Sequence, residues 1–340
     1  MNYDKSNRWL CGLFAGVWLA MGVVVAVAQE VPSPAGDWEL KWLIENDGGI
    51  LKRNRRTDRH YTSGIQWMVY QEPRYGWQEG LLGAVYPDAS EPEVRTAVGY
   101  SLGQQIFTPD FIDRPDLRAE DDMTFAGWLY GSLALQRRRE QVMDHLELRL
   151  GVIGPSALGE QSQSSLHHAF DLSEPDWGNQ LSDEPAVDLT YLRGWRCGSV
   201  RLFDDVHADV VLSGQASVGS VHNRAGASVM LRMGWRLPDD FGPARIDHPE
   251  AAAALHPDYP RLEADRIHGY VFTRATGSAV TTNRFLTGLT HEPIVGDLEI
   301  GAVVVYRRIE LAYSQTFQTR AFEEQDGHDE YASVSISWRF

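Results

Sequence analysis

The last ten residues, Tyr331-Ala332-Ser333-Val334-Ser335-Ile336-Ser337-Trp338-Arg339-Phe340, alternate apolar and polar without a break. Successive side chains of an extended chain point to opposite sides. Ala332, Val334, Ile336, Trp338 and Phe340 therefore share one face, and Ser333, Ser335, Ser337 and Arg339 the other. The same period of two recurs upstream. Ile65, Trp67 and Val69 alternate with Gln66 and Met68; Leu146, Leu148, Leu150 and Val152 with Glu147, Arg149 and Gly151. Val206, Ala208, Val210 and Leu212 alternate with His207 and Asp209; Val229, Leu231, Met233 and Trp235 with Ser228 and Arg232; Ile309, Leu311 and Tyr313 with Glu310 and Ser314. The chain reads as all-β, and the question becomes what each face meets. In a soluble sandwich the polar face meets bulk water. In a membrane barrel it lines the lumen, and the apolar face meets lipid.

The N-terminal end bears on that choice. Lys5 and Arg8 precede an apolar run from Trp9 to Ala28 that closes on Ala26-Val27-Ala28. A basic start, an apolar run and an Ala-x-Ala site read as a secretory signal peptide over 1–28, although the run is close to the length of a membrane anchor. Cys11 would leave with it, and Cys197 alone could form no internal disulfide. A net charge of −16 argues against a nucleic-acid partner. No second long apolar run exists, which excludes a helical membrane protein but not a barrel. An exported chain that ends on an alternating strand with a terminal Phe looks like an outer-membrane protein. Eleven Trp is high for 340 residues, and Trp67, Trp128, Trp195, Trp235 and Trp338, with Tyr313, lie on or near strands as aromatic girdles do.

The expected fold is thus an antiparallel transmembrane β-barrel over residues 29–340, of about twelve strands, in a bacterial outer membrane. The strands fall near 38–45, 60–71, 95–105, 125–137, 140–152, 185–197, 203–218, 225–236, 266–279, 294–306, 307–319 and 330–340. An even number lets one chain close the barrel as a monomer, with both termini periplasmic. Connections after odd strands are then extracellular, including 46–59, 106–124 and 153–184. Segments 72–94 and 237–265 are long for periplasmic turns; the second, with Pro238, Pro243, Pro249, Pro257 and Pro260, has room for a short helix.

The polar clusters sit on the extracellular side of this scheme. "GEQSQSSLHHAF" (159–170) reads as a short helix in the loop after the fifth strand, starting near Ser156, whose hydroxyl could cap it. Gln163 and His167, four apart, share a face, while His168 points about 140° from Gln163. Leu166 and Phe170 flank that face and could pack it on the barrel. A neutral imidazole can take a proton from water, although a lone histidine on a loop helix is more often an ordinary surface residue. Asn46 and Asp47 offer hard oxygens suited to calcium, but Asn-Asp-Gly is also ordinary turn chemistry, and local evidence favours the turn. Lys52, Arg53, Arg55, Arg56 and Arg59 form a basic patch that could meet lipid phosphates or simply be solvated.

Seven motifs run in order over nearly the whole exported part. They are Glu45-Asn46-Asp47; Thr57-Asp58-Arg59-x-Tyr61-Thr62-x-Gly64; Gln104-Gln105-Ile106-Phe107-Thr108-Pro109; Phe125-Ala126-Gly127-Trp128-Leu129-Tyr130; Gly151-Val152-Ile153-Gly154-Pro155; Gln163-x-x-x-His167; and Trp177-x-Asn179-Gln180-Leu181-x-Asp183-Glu184-Pro185. Together they resemble the lipid A 3′-O-deacylase family, the LpxR-like outer-membrane proteins. The resemblance implies a twelve-stranded barrel that hydrolyses the ester-linked 3′ acyloxyacyl chain of lipid A with calcium (Ca2+), at a site between the barrel wall and a helix from an extracellular loop. It implies lipid A or lipopolysaccharide as substrate, set among outer-membrane lipid. It makes His167 the base and Gln163 its partner, gives Asn46, Asp47 and Thr62 to the site, and adds Glu184 to Asn46 and Asp47 as a metal ligand. Two departures touch substrate contacts: Asp122-Met123-Thr124 stands where the family commonly has Asp-Arg-Pro, and Ser63 where it has Asn. A serine nucleophile would have Ser162, Ser164 or Ser165 at hand but no Gly-x-Ser-x-Gly elbow. An outer-membrane phospholipase and a non-catalytic, porin-like barrel are the alternatives.

Overall fold

All twelve alternating stretches form strands in the computed structural model, which describes residues 38–49, 58–113, 122–249, 252, 255 and 267–339. They are β1 (Trp38–Asn46), β2 (His60–Gln71), β3 (Val94–Thr108), β4 (Ala126–Arg139), β5 (Val142–Ile153) and β6 (Glu184–Phe203). The second half is β7 (Val206–Gly219), β8 (His222–Trp235), β9 (Ile267–Asn283), β10 (Ile294–Tyr306), β11 (Ile309–Gln318) and β12 (Asp329–Arg339). Each pairs with its sequence neighbours, and β1 closes on β12 through antiparallel pairs such as Leu40↔Trp338 and Trp42↔Ile336. The signal-peptide stretch, the basic residues 52–56 and Phe340 lie outside the described residues.

The two faces carry the signature of a membrane barrel. Trp67 is 49% exposed and Leu231 52%, whereas Ser335 and Ser337 are 3% and 0% exposed, and Glu147 and Arg149 4% each. The polar face is the buried one, the reverse of a soluble sandwich. Trp128 departs from the expected girdle. It has the inward parity of Tyr130 and packs fully buried against Tyr130, His222 and Phe285.

The long connections differ most from expectation. Segment 72–94 forms helix α1 (Gly76–Val85), whose Leu82 packs with Tyr86 on Val98 and Leu135. Segment 237–249 is no turn: it leaves β8 and enters the lumen. Phe241, Ala244 and Ile246 join a buried cluster with Leu43, Met68, Tyr270 and Phe272. Inward-facing arginines of the wall hold its backbone and acids. Arg138 Nη2 donates to Asp239 Oδ2 at 2.8 Å, Arg274 Nη2 to the Pro243 carbonyl at 3.0 Å, and Arg149 Nη2 to the Ile246 carbonyl at 2.6 Å; Arg232 pairs with Asp240. Pro238, Pro243 and Pro249 bring no N–H, so fewer donors need partners in this narrow space. Towards the end away from the chain termini, Phe107 stacks on Phe285 at 3.7 Å, with Trp128, Leu286 and Phe322 in the same layer. Among the described residues the lumen is filled rather than open.

Candidate active site on the outer wall

The end of the barrel away from the termini carries a polar site on its outer surface. In β1 the even positions face outward, from the exposed Leu40 and Trp42 through Ile44 to Asn46. Its partner β2 has a bulge: Tyr61 pairs with Phe107, Ser63 with Ile106, and Thr62 is the extra residue. A bulge adds one residue and re-aims side chains locally. Thr62 Oγ1 lies 2.7 Å from Thr108 Oγ1, and the Thr62 carbonyl accepts from Asn46 Nδ2 at 3.2 Å and from the Asp47 amide at 3.0 Å.

Helix α2 (Gly159–Phe170) lies against the outward side of β3 and β4. Outward-facing Gln104 donates to the Ala157 carbonyl at 2.7 Å. The helix touches the wall through glycines: a Cβ on Gly127 would stand 3.2 Å from Gly159 Cα. Gly159, Gln163 and His167, each four apart, form its buried stripe. Two details correct the expected helix. Ser156 does not cap it, because its N–H and hydroxyl both go to Asp183, at 2.7 and 2.8 Å; left-handed Leu158 (φ 61°) starts the helix instead. Leu166 and Phe170 remain 46% and 39% exposed, so the buried stripe runs through the glycine contact and the two polar residues rather than through them. His168 is exposed, in keeping with its place off the stripe.

The helix brings its two polar residues to Asp58, just before β2. Gln163 Nε2 donates to Asp58 Oδ1 at 3.0 Å, and His167 Nε2 lies 3.3 Å from the same oxygen. Trp177 Nε1, which can only donate, reaches Gln163 Oε1 at 2.9 Å and so fixes the amide with its NH2 towards Asp58. His167 Nδ1 is 2.5 Å from the Ser173 carbonyl, an acceptor, so Nδ1 carries the hydrogen and Nε2 is the basic atom. Burial pulls the imidazole down, but the hydrogen bond and charge of Asp58, with the Ser173 carbonyl and Glu174, hold it above the usual 6.5. Asp58 is the participant that sequence reasoning did not single out. Its only signal was its place in the motif that also supplies Thr62.

Asp47 Oδ2 accepts from the Arg59 amide at 3.0 Å, which ties β1 to the residue beside Asp58. His167 and Gln163 thus meet Asp58, whose neighbour Arg59 is bonded to Asp47, and Asp47 and Asn46 are in turn bonded to the Thr62 carbonyl. Glu184 stands apart from these residues, in a two-pronged ion pair with Arg284. Asn46, Asp47, Asp58 and the Thr62 hydroxyl and carbonyl form a set of hard oxygens. Among the described residues no three His, Cys, Asp or Glu side chains form a cluster. This donor set fits calcium better than zinc.

Comparison with known proteins agrees with this architecture. The family model described as "Outer membrane protein LpxR" matches residues 13–340. The chain is similar to the solved structure of LpxR from Salmonella typhimurium, with TM-score 0.71 and 16% identity, over 89% of this chain and 100% of that one. The β-domain of the Bordetella autotransporter BrkA is far less similar, with TM-score 0.42 and 10% identity over 90% of this chain and 98% of that one. No curated protein matches the sequence. A sequence that fits the family model along almost its whole length, on the barrel of its solved relative, belongs to the LpxR family of outer-membrane proteins.

Proposed function

We propose that this protein is a calcium-dependent lipid A 3′-O-deacylase that uses water as nucleophile and His167 as general base. The observation that carries this reading is the position of His167: its basic nitrogen faces Asp58 on the lipid side of the wall, beside the Asn46–Thr62 pair. A site built outside the barrel is reached from the outer leaflet, where an acylated glycolipid lies, and not through the filled lumen.

His167 Nε2 takes a proton from water as the water oxygen attacks the ester carbonyl carbon. The imidazolium that forms faces the Asp58 carboxylate, whose charge stabilises it, while the Ser173 carbonyl keeps the hydrogen on the other ring nitrogen. Gln163 and Trp177 hold that carboxylate in place. When the carbon–oxygen bond to the sugar breaks, His167 returns the proton to the sugar oxygen. The products are a free fatty acid and a 3′ hydroxyl. Asn46 and Asp47 would hold calcium, which when bound supplies positive charge to polarise the carbonyl. Thr62 would complete the polar lining, and Glu184 would join the metal only by giving up Arg284. The helix face with Leu166 and Phe170 offers apolar contact to the acyl chains.

Mass spectrometry of lipid A and phospholipids tests this reading, using cells with and without the protein and membranes with calcium or a chelator. Loss of the 3′ acyl group, abolished by chelation, is the expected result. Unchanged 3′ acylation with calcium present would overturn it, and loss of phospholipid chains instead would favour a phospholipase. A passive pore would give steady conductance in planar bilayers, which the filled lumen argues against.

A further inference from the structure

Among its contacts with the wall, the lumen segment reaches the back of the strands on which the site stands. Ile246, near the tip of the segment, donates its N–H to Glu45 Oε1 at 3.0 Å. Ser333 Oγ donates to the same oxygen at 3.0 Å, and Tyr61 Oη donates to Glu45 Oε2 at 2.6 Å. Glu45 is 2% exposed and faces inward; Asn46, the next residue, faces out. Tyr61 also faces inward, at van der Waals range of Phe107, and Thr62 follows it as the bulged residue. Gly64 lies opposite Glu45 in the ladder, and a Cβ there would come within 2.4 Å of both Ile246 Cδ1 and Tyr61 Oη. The motif glycine is thus the gap through which the clamp closes.

We propose that Ile246, Glu45 and Tyr61 form a positioning clamp inside the barrel that sets Asn46 and Thr62 on its outer face. The physical need is the bulge. Moving the extra residue by one position flips which side chains face out, so a bulge beside a site must be pinned. The Tyr61–Glu45 bond pins β2 against β1 from within, one residue from the Asn46–Thr62 bond outside. The lumen segment fixes Glu45 in turn, and Arg149 holds the carbonyl of Ile246. The segment would then support the site without touching substrate. This inference rests on the proposed hydrolysis for its catalytic consequence, but not for its structural one.

The test uses the full-length barrel refolded in detergent, checked for the gel shift of a closed barrel. It compares Tyr61→Phe, Glu45→Ala and Glu45→Gln with wild type by amide hydrogen exchange over 44–64 and by hydrolysis of lipid A. Tyr61→Phe and Glu45→Ala are expected to speed exchange across this stretch. They should lower kcat by about ten-fold with KM nearly unchanged, since small misplacements cost rate rather than binding. Glu45→Gln, which keeps an acceptor for Ile246, should recover most of both. Unchanged exchange in Tyr61→Phe and Glu45→Ala overturns the clamp whatever the activity. Faster exchange with full kcat overturns its positioning role. A wild type that hydrolyses no lipid A ends the proposed function, and exchange then still decides whether the clamp exists.

Discussion

The two sides of the same wall use charge in opposite ways. Inside, ionisable residues are many and matched: Arg232 lies 2.6 Å from Asp209 with both side chains fully buried, and Arg274 lies 2.9 Å from Glu299. Outside, at the site, the basic nitrogen of His167 lies 3.3 Å from Asp58, whose same oxygen also accepts from Gln163. A matched pair in a low-dielectric lumen is fixed, because moving either member leaves the other uncompensated. A histidine whose two protonation states lie close in energy can exchange a proton during a reaction. Charge density alone is therefore a poor guide to where this protein does chemistry; the side with fewer charges is the one able to act.

Substitutions on the two sides should separate rate from stability. His167→Ala has the largest expected effect on rate: a loss of kcat of about 10²–10⁴-fold, the contribution of a general base, from a barrel that folds normally. Lipid A hydrolysis by refolded protein measures it, and a loss under three-fold would remove His167 from the mechanism. Asp209→Ala makes the opposite demand. It leaves buried Arg232 and Arg196 short of a carboxylate and should cost about 3–5 kcal/mol of stability. Urea unfolding in lipid vesicles reads that cost, while kcat per folded molecule stays at the wild-type value. A large drop in kcat without a drop in stability would erase the distinction between the sides.

What the sequence could reveal divides along the same line. Strands were legible because lipid on one side and a crowded lumen on the other force a period of two, and all twelve fall where alternation puts them. The path of 237–249 was not, because its partners are inward residues such as Arg149, Arg274 and Glu45, distant in sequence and carrying no local pattern. Trp128 was misassigned by residue type, although its parity with Tyr130 pointed inward. At the site, the spacing of Gln163 and His167 was visible, but Asp58 lies 105 residues from Gln163, and nothing local announces that contact. Glu184 matched the family motif, yet the fold gives it Arg284.

Asp58 offers a finer test of how the outer side works. His167 must be neutral to take a proton, so hydrolysis should rise with pH through its elevated pKa. Asp58→Asn removes the charge that favours the imidazolium. The acid limb should move to lower pH, and the plateau should fall by about ten-fold as the charged intermediate loses its partner. Stability runs the opposite way with pH. A raised folded-state pKa contributes stability that is present below the unfolded value of 6.5 and is lost as pH rises through the folded value. Wild type should lose that increment over this window and Asp58→Asn should not, as unfolding at several pH values would report. A limb that stays in place in Asp58→Asn would mean that another group titrates.

The smallest effect concerns the apolar side of α2. Leu166 and Phe170 are exposed beside the site, where an ordinary soluble helix would be polar. If they only face bulk lipid, replacing one by alanine changes nothing that substrate can sense. If acyl chains of the substrate rest on them, each loses part of its apolar contact, about 1 kcal/mol for a half-exposed side chain, or roughly five-fold in KM. The chemistry is carried by the neighbouring stripe of Gln163 and His167, whose buried side chains these truncations leave intact, so kcat should hold. Kinetics of Leu166→Ala and Phe170→Ala on lipid A in mixed micelles separate the two cases. A fall in kcat with constant KM would show instead that these residues hold the helix in place, and with it His167.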